Sequence, residues 1–214
     1  MSLLDLLFPK KCPFCHRLLE KEEPLFCARC QRDLPWSPGP AGRQEPEFLS
    51  GCVSALFYLD TVREGVHRFK FQNRPGYAGA FGMLMAQAAQ DAWPDVSFDA
   101  VTWVPLSRRR LRSRGYDQSE LLCREVAARL SLPLCSTLVK HRHTPQQSLR
   151  ADAASRRANV LGAYRVPDAS VAGKTLLLCD DVVTSGATLS ECARVLLTAG
   201  AAEVYAVTLA RAKN

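Results

Sequence analysis

The sequence predicts an α/β protein, a mostly parallel sheet flanked by helices, preceded by a small four-cysteine module. Three observations predict it. Leu176-Leu-Leu-Cys179 is a continuous apolar run ending on Asp180 and Asp181, as expected of a strand covered on both faces. A turn at Thr184-Ser185-Gly186-Ala187, a helical pattern through Leu189, Val195 and Leu196, a stop at Gly200 and a second apolar run over residues 203–209 complete a β-α-β unit. Near the start, Cys12-Pro-Phe-Cys15 and Cys27-Ala-Arg-Cys30 stand eleven residues apart.

Two Cys-x-x-Cys knuckles at this spacing can close a tetrahedral site on zinc, so Cys12, Cys15, Cys27 and Cys30 are the candidate structural metal ligands. Paired disulfides are the alternative. Five further scattered cysteines and a start whose Lys10 and Lys11 follow the apolar run, the wrong order for a secretory signal, predict a reducing, cytoplasmic setting instead. His16 reads as an exposed bystander. Residues 1–51 carry seven basic and seven acidic side chains, which makes the module a scaffold or a protein-docking surface rather than an electrostatic footprint. Pro35-Trp-Ser-Pro-Gly-Pro-Ala-Gly reads as a linker. The expected division is a module with its linker over 1–50 and a second domain over 51–214.

Within that domain, residues 52–59 read as a strand. Val62, Val66 and Phe69 recur at helical spacing, and a turn at Asn73-Arg-Pro-Gly76 precedes an Ala- and Met-rich helix over 77–92. Met83 and Met85 are expected to pack in the core. After a strand over 99–104 comes a basic loop with five arginines between Pro105 and Arg114. Asp117-Gln-Ser-Glu120 then caps a helix whose Leu122, Val126 and Leu130 share a face. Residues 140–157 are polar and weakly periodic, compatible with a lid or with a plain surface loop, and His141 and His143 within them are expected to be exposed.

Composition limits the function classes. With 47% apolar and 23% charged residues the chain is expected to fold, and no apolar run reaches the length of about 20 residues that spans a bilayer. The net charge of +7 is concentrated: residues 105–157 hold twelve Lys/Arg against four Asp/Glu, so an anionic partner is expected there.

The chemistry gathers at residues 180–188. Thr188 and Glu191 have the spacing of a capping box, which predicts a helix beginning near Thr188. Short hydroxyl and glycine residues before it expose amides at the positive end of that helix, a site for phosphate, although a well-capped ordinary turn has the same composition. Asp180 and Asp181 would repel a phosphate unless they bind sugar hydroxyls or act through Mg²⁺, which together points to a phosphorylated sugar.

The run from Asp180 to Thr188 resembles the phosphoribosyl diphosphate (PRPP) motif of type I phosphoribosyltransferases. That resemblance implies their fold, with Asp180 and Asp181 on the ribose and as the catalytic pair. It also implies Thr184, Ser185, Gly186, Ala187 and Thr188 on the 5′-phosphate, Pro105, Leu106, Ser107 and Arg108 on the diphosphate, and Mg²⁺ accompanying PRPP. The Leu-Leu-Phe-Pro start before four cysteines, Val104-Pro-Leu, Arg114-Gly-Tyr-Asp-Gln118, Thr144-Pro-Gln-Gln147-Ser-Leu and Arg157-Ala-Asn159-Val resemble the ComF family over nearly the whole chain. Tyr116 and Asp117 stand where that family usually has Phe and Asn. The family implies a role in bringing single-stranded DNA into the cytosol, with PRPP as ligand. Three functions remain compatible with these residues: a transferase with an acceptor to be found, a PRPP- or DNA-binding protein with Tyr116 or Trp103 stacking on bases, and a zinc-stabilised adaptor.

Overall fold

A computed structural model describes residues 9–37, 43–44, 46–142, 144, 153–168 and 170–213. The elements are α1 (Ala28–Asp33), β1 (Arg43–Gln44), β2 (Gly51–Phe57), α2 (Asp60–Phe71), α3 (Ala78–Ala92) and β3 (Ala100–Trp103). There follow α4 (Arg108–Arg114), α5 (Gln118–Leu130), β4 (Val139–Lys140), α6 (Ala153–Val160), β5 (Tyr164–Arg165), β6 (Thr175–Val183), α7 (Ala187–Thr198) and β7 (Glu203–Arg211).

The main sheet runs β1-β2-β7-β6-β3, with β1 antiparallel at one edge and the other four strands parallel. The apolar run that predicted β6 divides by parity. Leu177 and Cys179 enter the core shared with α2, α3 and α5, while Leu176 and Leu178 enter the core beneath α7. Two buried hydroxyl pairs, Ser54 with Thr208 and Thr102 with Thr137, each 2.7 Å apart, satisfy polar groups inside these layers. Cys52, Cys123, Cys179 and Cys192 are buried, and none of the nine cysteines forms a disulfide. Met85 is fully buried and Met83 partly so.

The four-cysteine module is continuous with the first core: Phe14 is fully buried, its ring 5.4 Å from Phe81 and 5.8 Å from Phe26. The segment read as a linker is partly sheet. Ser37 donates its amide to Ala55, Phe57 donates to Pro35, Trp36 bridges Leu56, and Arg43 and Gln44 pair with Val53 and Cys52. An exposed edge of β2 would leave these amides and carbonyls unpaired, and the turn-rich segment supplies their partners.

The basic stretch read as a loop is a short helix, α4. Ser107 caps it, accepting from the Arg110 amide, and Gly115 ends it at φ 84°. Arginine is a good helix former, so composition that signals an anion sink is equally at home in a helix. Asp117 caps α5 as expected, accepting from the Ser119 and Glu120 amides. Of the segment 140–157, residues 143 and 145–152 lie outside the described residues, and 153–157 open α6. β4 and β5 form a separate antiparallel pair, Lys140 opposite Tyr164. Among the described residues no helix is long and apolar enough to cross a membrane.

Candidate functional site

At the carboxyl ends of β3 and β6 lies a cleft of about 370 Å³, where ligands of open α/β sheets bind. Asp180 and Asp181 are the last polar residues of β6 and face it. Asp180 Oδ1 accepts from Ser119 Oγ and from the Asp181 amide, each at 2.9 Å. Burial, and then the charge of Asp181, push the Asp180 carboxyl up to about 7 against the pull of Lys70. Asp181 Oδ1 accepts from Lys70 Nζ at 2.7 Å, whereas its buried Oδ2 has no hydrogen-bond partner among the described residues. A buried carboxylate oxygen without a donor is costly in a resting structure and is an acceptor waiting for a ligand or cation.

After Val183 the chain turns through Thr184, Ser185 and Gly186 into α7. Gly186 is left-handed, φ 73°, and is itself the N-cap. The helix therefore starts at Ala187, and the capping box does not form. Thr188 is already in the first turn. Glu191 instead accepts from the Gly162 amide at 2.8 Å and pairs with Arg194 at 2.8 Å, because its place in the second turn points it at the β5 approach rather than back to the cap. With no side chain closing the N-terminus, the first amides of α7 are left to the cleft.

The opposite wall is cationic. Arg110, Arg114, Lys70 and Lys140 line the cleft together with Pro105 and Leu106. The Leu106 amide donates to Asp117 Oδ2 at 2.7 Å, so the carboxylate that caps α5 also fixes the turn after β3. Arg110 donates to the Thr144 carbonyl at 3.1 Å, and Arg114 lies over the Phe71 ring at 5.1 Å and donates to Gln118. Lys140 donates to Tyr164 Oη at 2.9 Å, and burial, followed by the charge of Arg110, lowers its ammonium to about 8.

Asp180, Asp181, Thr184, Ser185, Gly186, Ala187, Thr188, Pro105 and Leu106 thus share one cleft. Ser107 and Arg108 stand outside its lining: Ser107 is buried as the α4 cap, and Arg108 is exposed with Arg109 and Arg112. One helical turn carries Arg110 and Arg114 inward instead. Tyr116 is partly buried, its hydroxyl donating to the Phe69 carbonyl and its ring 5.9 Å from Phe69, so it is engaged in packing. Trp103 is also packed on the core. Lys70, Ser119 and Tyr164 were not singled out by sequence. The signal for Lys70 is a lone cation between two phenylalanines at the end of an amphipathic helix.

In the N-terminal module the sulfurs of Cys12, Cys15, Cys27 and Cys30 lie within 4.8 Å of one another, Cys15 and Cys27 at 3.6 Å. Tetrahedral zinc with Zn–S bonds of about 2.3 Å separates its sulfurs by roughly 3.8 Å, so the set fits the ion. Cys27 also caps α1, accepting from the Cys30 amide at 3.3 Å. His16 stands outside the cluster, half-buried with a left-handed backbone rather than exposed. His141 is exposed, and His143 lies outside the described residues.

Residues 3–43 match the double zinc ribbon domain, and residues 117–214 match the phosphoribosyl transferase domain. The protein is therefore a zinc-ribbon module joined to a domain of the type I phosphoribosyltransferase fold. It is similar to the DNA utilization protein YhgH of Salmonella typhimurium (33% identical, 94% of this chain and 89% of the relative) and of Escherichia coli strain K12 (30%, with the same coverage). Competence protein ComFC of Bacillus subtilis is 31% identical over 94% of this chain and 84% of its own. The chain belongs to the ComF family of competence and DNA utilization proteins.

Proposed function

We propose that the cleft binds PRPP or a closely related phosphorylated sugar, and that the protein uses it while handling single-stranded DNA in the cytoplasm during natural competence. The observation that carries this reading is the juxtaposition on β6 and α7 of two carboxylates with an uncapped helix N-terminus, opposite four cations. The carboxylates suit vicinal hydroxyls, the α7 amides suit the 5′-phosphate, and Arg110, Arg114 and Lys140 suit a diphosphate. Asp180 and the free Oδ2 of Asp181 are the acceptors on offer to Mg²⁺. When bound, that ion would neutralise diphosphate charge. Exposed Arg108, Arg109 and Arg112 on the outer face of α4 suit the DNA backbone. A protein partner would meet the zinc module.

Calorimetric titration of wild-type protein with Mg²⁺–PRPP is the test. Binding by wild type, and a fall of a hundredfold or more (~2.8 kcal/mol) in Asp180→Ala/Asp181→Ala, is expected. No binding by wild type would reject the reading. Diphosphate release, followed across a panel of bases and amines, then separates a transferase from a binding protein.

A further inference from the structure

α2 stands between the zinc knuckle and the cleft and touches both. Arg68 Nη1 donates to the carbonyls of Phe14 at 2.9 Å and Pro13 at 3.3 Å, the two residues between Cys12 and Cys15. Its side chain is only 15% exposed and is held from behind by Glu64 at 2.6 Å. One turn earlier, a Cβ on Gly65 would lie 2.8 Å from the Pro13 carbonyl oxygen. Gly65 and Arg68, three residues apart, share the face that meets the knuckle. Lys70, two residues on and therefore on the far side of the helix, holds Asp181, and the next residue, Phe71, carries Arg114 on its ring. From Gly65 to Lys70 the rise is about 7.5 Å.

Apolar contact alone would attach the module, and Phe14 against Phe81 supplies it. Apolar contact has little direction, however, and would tolerate a sliding or rotated helix. A guanidinium divided between two consecutive carbonyls fixes both translation and rotation of α2. Those carbonyls are themselves oriented by the knuckle, whose turn closes with the His16 amide donating to the Cys12 carbonyl at 2.9 Å.

We propose that the zinc knuckle is a positioning part of the cleft. Through Arg68 and Gly65 it sets the register of α2, and α2 in turn sets Lys70 against Asp181 and Phe71 beneath Arg114. Arg68 and Lys70 are positioning residues for whatever ligand the carboxylate pair receives.

The test uses the full-length, zinc-loaded chain. Arg68→Met keeps the aliphatic stem and removes the donors. Hydrogen–deuterium exchange is followed over residues 65–71 and 180–186, zinc is counted with a chromophoric chelator, and Mg²⁺–PRPP affinity is titrated. The expected result is retained zinc, exchange faster by about tenfold in both segments, an affinity loss of roughly fivefold or more, and partial recovery in Arg68→Lys, which keeps a donor. Unchanged exchange in either segment of zinc-loaded Arg68→Met overturns the proposal. So does acceleration confined to residues 9–37. If Arg68→Met loses its zinc, Arg68→Lys decides: both segments must loosen to a smaller degree, and exchange like wild type overturns the proposal. The exchange readout involves no ligand, so a failure of PRPP to bind counts against the function proposed above and leaves this inference to be judged on exchange alone.

Discussion

The cysteine cluster and the β6 cleft both gather groups that repel one another, and they manage it in opposite ways. Four sulfurs converge on a single point, in a module closed off by Phe14, Phe26 and Leu34, with geometry that one ion saturates. In the cleft, two carboxylates are only partly compensated. Lys70 takes one oxygen of Asp181, the other oxygen of the same group has no partner among the described residues, and burial and the charge of Asp181 push the Asp180 carboxyl up to about 7. A complete, enclosed ligand set has nothing left to bind and serves the fold. An incomplete one facing an opening keeps its free energy for a ligand. The partly compensated carboxylates sit at the carboxyl end of β6, where the sheet holds the backbone rigid beside the cleft.

Perturbing the closed site should have the largest effect. Structural zinc sites contribute on the order of 10 kcal/mol of apparent binding free energy, so Cys27→Ser or a strong chelator is expected to unfold residues 9–37 and lower the melting temperature sharply. Differential scanning calorimetry with parallel zinc counting would show it, and an unchanged melt would make the two sites alike after all. Next, Lys70→Met removes the donor to Asp181 and should cost about 3 kcal/mol of stability, measured by urea unfolding. It should also raise the Asp180 carboxyl further, because Lys70 opposes that shift. Gly186→Ala forces a left-handed backbone on a residue whose Cβ would lie 3.0 Å from Pro46, for a loss of about 1–2 kcal/mol.

Smaller effects follow from pH. Asp180 becomes a carboxylate only as pH rises through about 7, and Lys140 loses its charge above about 8. Sugar-phosphate affinity should therefore fall off on both the acid and the alkaline side, with Asp180→Asn flattening the acid limb and Lys140→Met the alkaline one in calorimetric titrations. For stability the Asp180 sign is the reverse of a salt-bridged acid. Its folded value lies above the unfolded value of about 3.9, so ionisation costs folded-state stability as pH climbs through both values. Asp180→Asn should be more stable than wild type at pH 8 and indistinguishable from it near pH 4. The smallest change is expected from Arg108→Gln/Arg109→Gln/Arg112→Gln. Stability and PRPP binding should hold, while the salt dependence of single-stranded DNA binding becomes shallower.

Much of this was legible in the sequence where one local rule governed. The four cysteines, the apolar β6 run, the Asp117 cap and the carboxylate pair each declare themselves within about twenty residues. What escaped depends on neighbours distant in sequence. Thr188 and Glu191 have capping-box spacing, but Gly162, 29 residues away, claims the carboxylate. Arg108 and Arg110 are equivalent as letters, and only the Ser107 cap decides which one faces inward. Lys70 carries no motif, since its partner stands 111 residues downstream. The turn-rich residues around Trp36 gave no sign of sheet, because β-bridges to Leu56 and Val53 arise from the need of an edge strand and not from local propensity.

The strand order holds a consequence for how the molecule is made. β7 follows every other strand in sequence and lies in the middle of the sheet, parallel to β2 on one side and β6 on the other. As the chain leaves the ribosome, α2, α3 and the cysteine module can assemble early, but β2 has no partner on its inner edge until residues 203–211 emerge. Closing the sheet across some 150 residues is a slow, long-range step. Until then the nascent protein presents two bare strand edges, each a template for pairing with another chain.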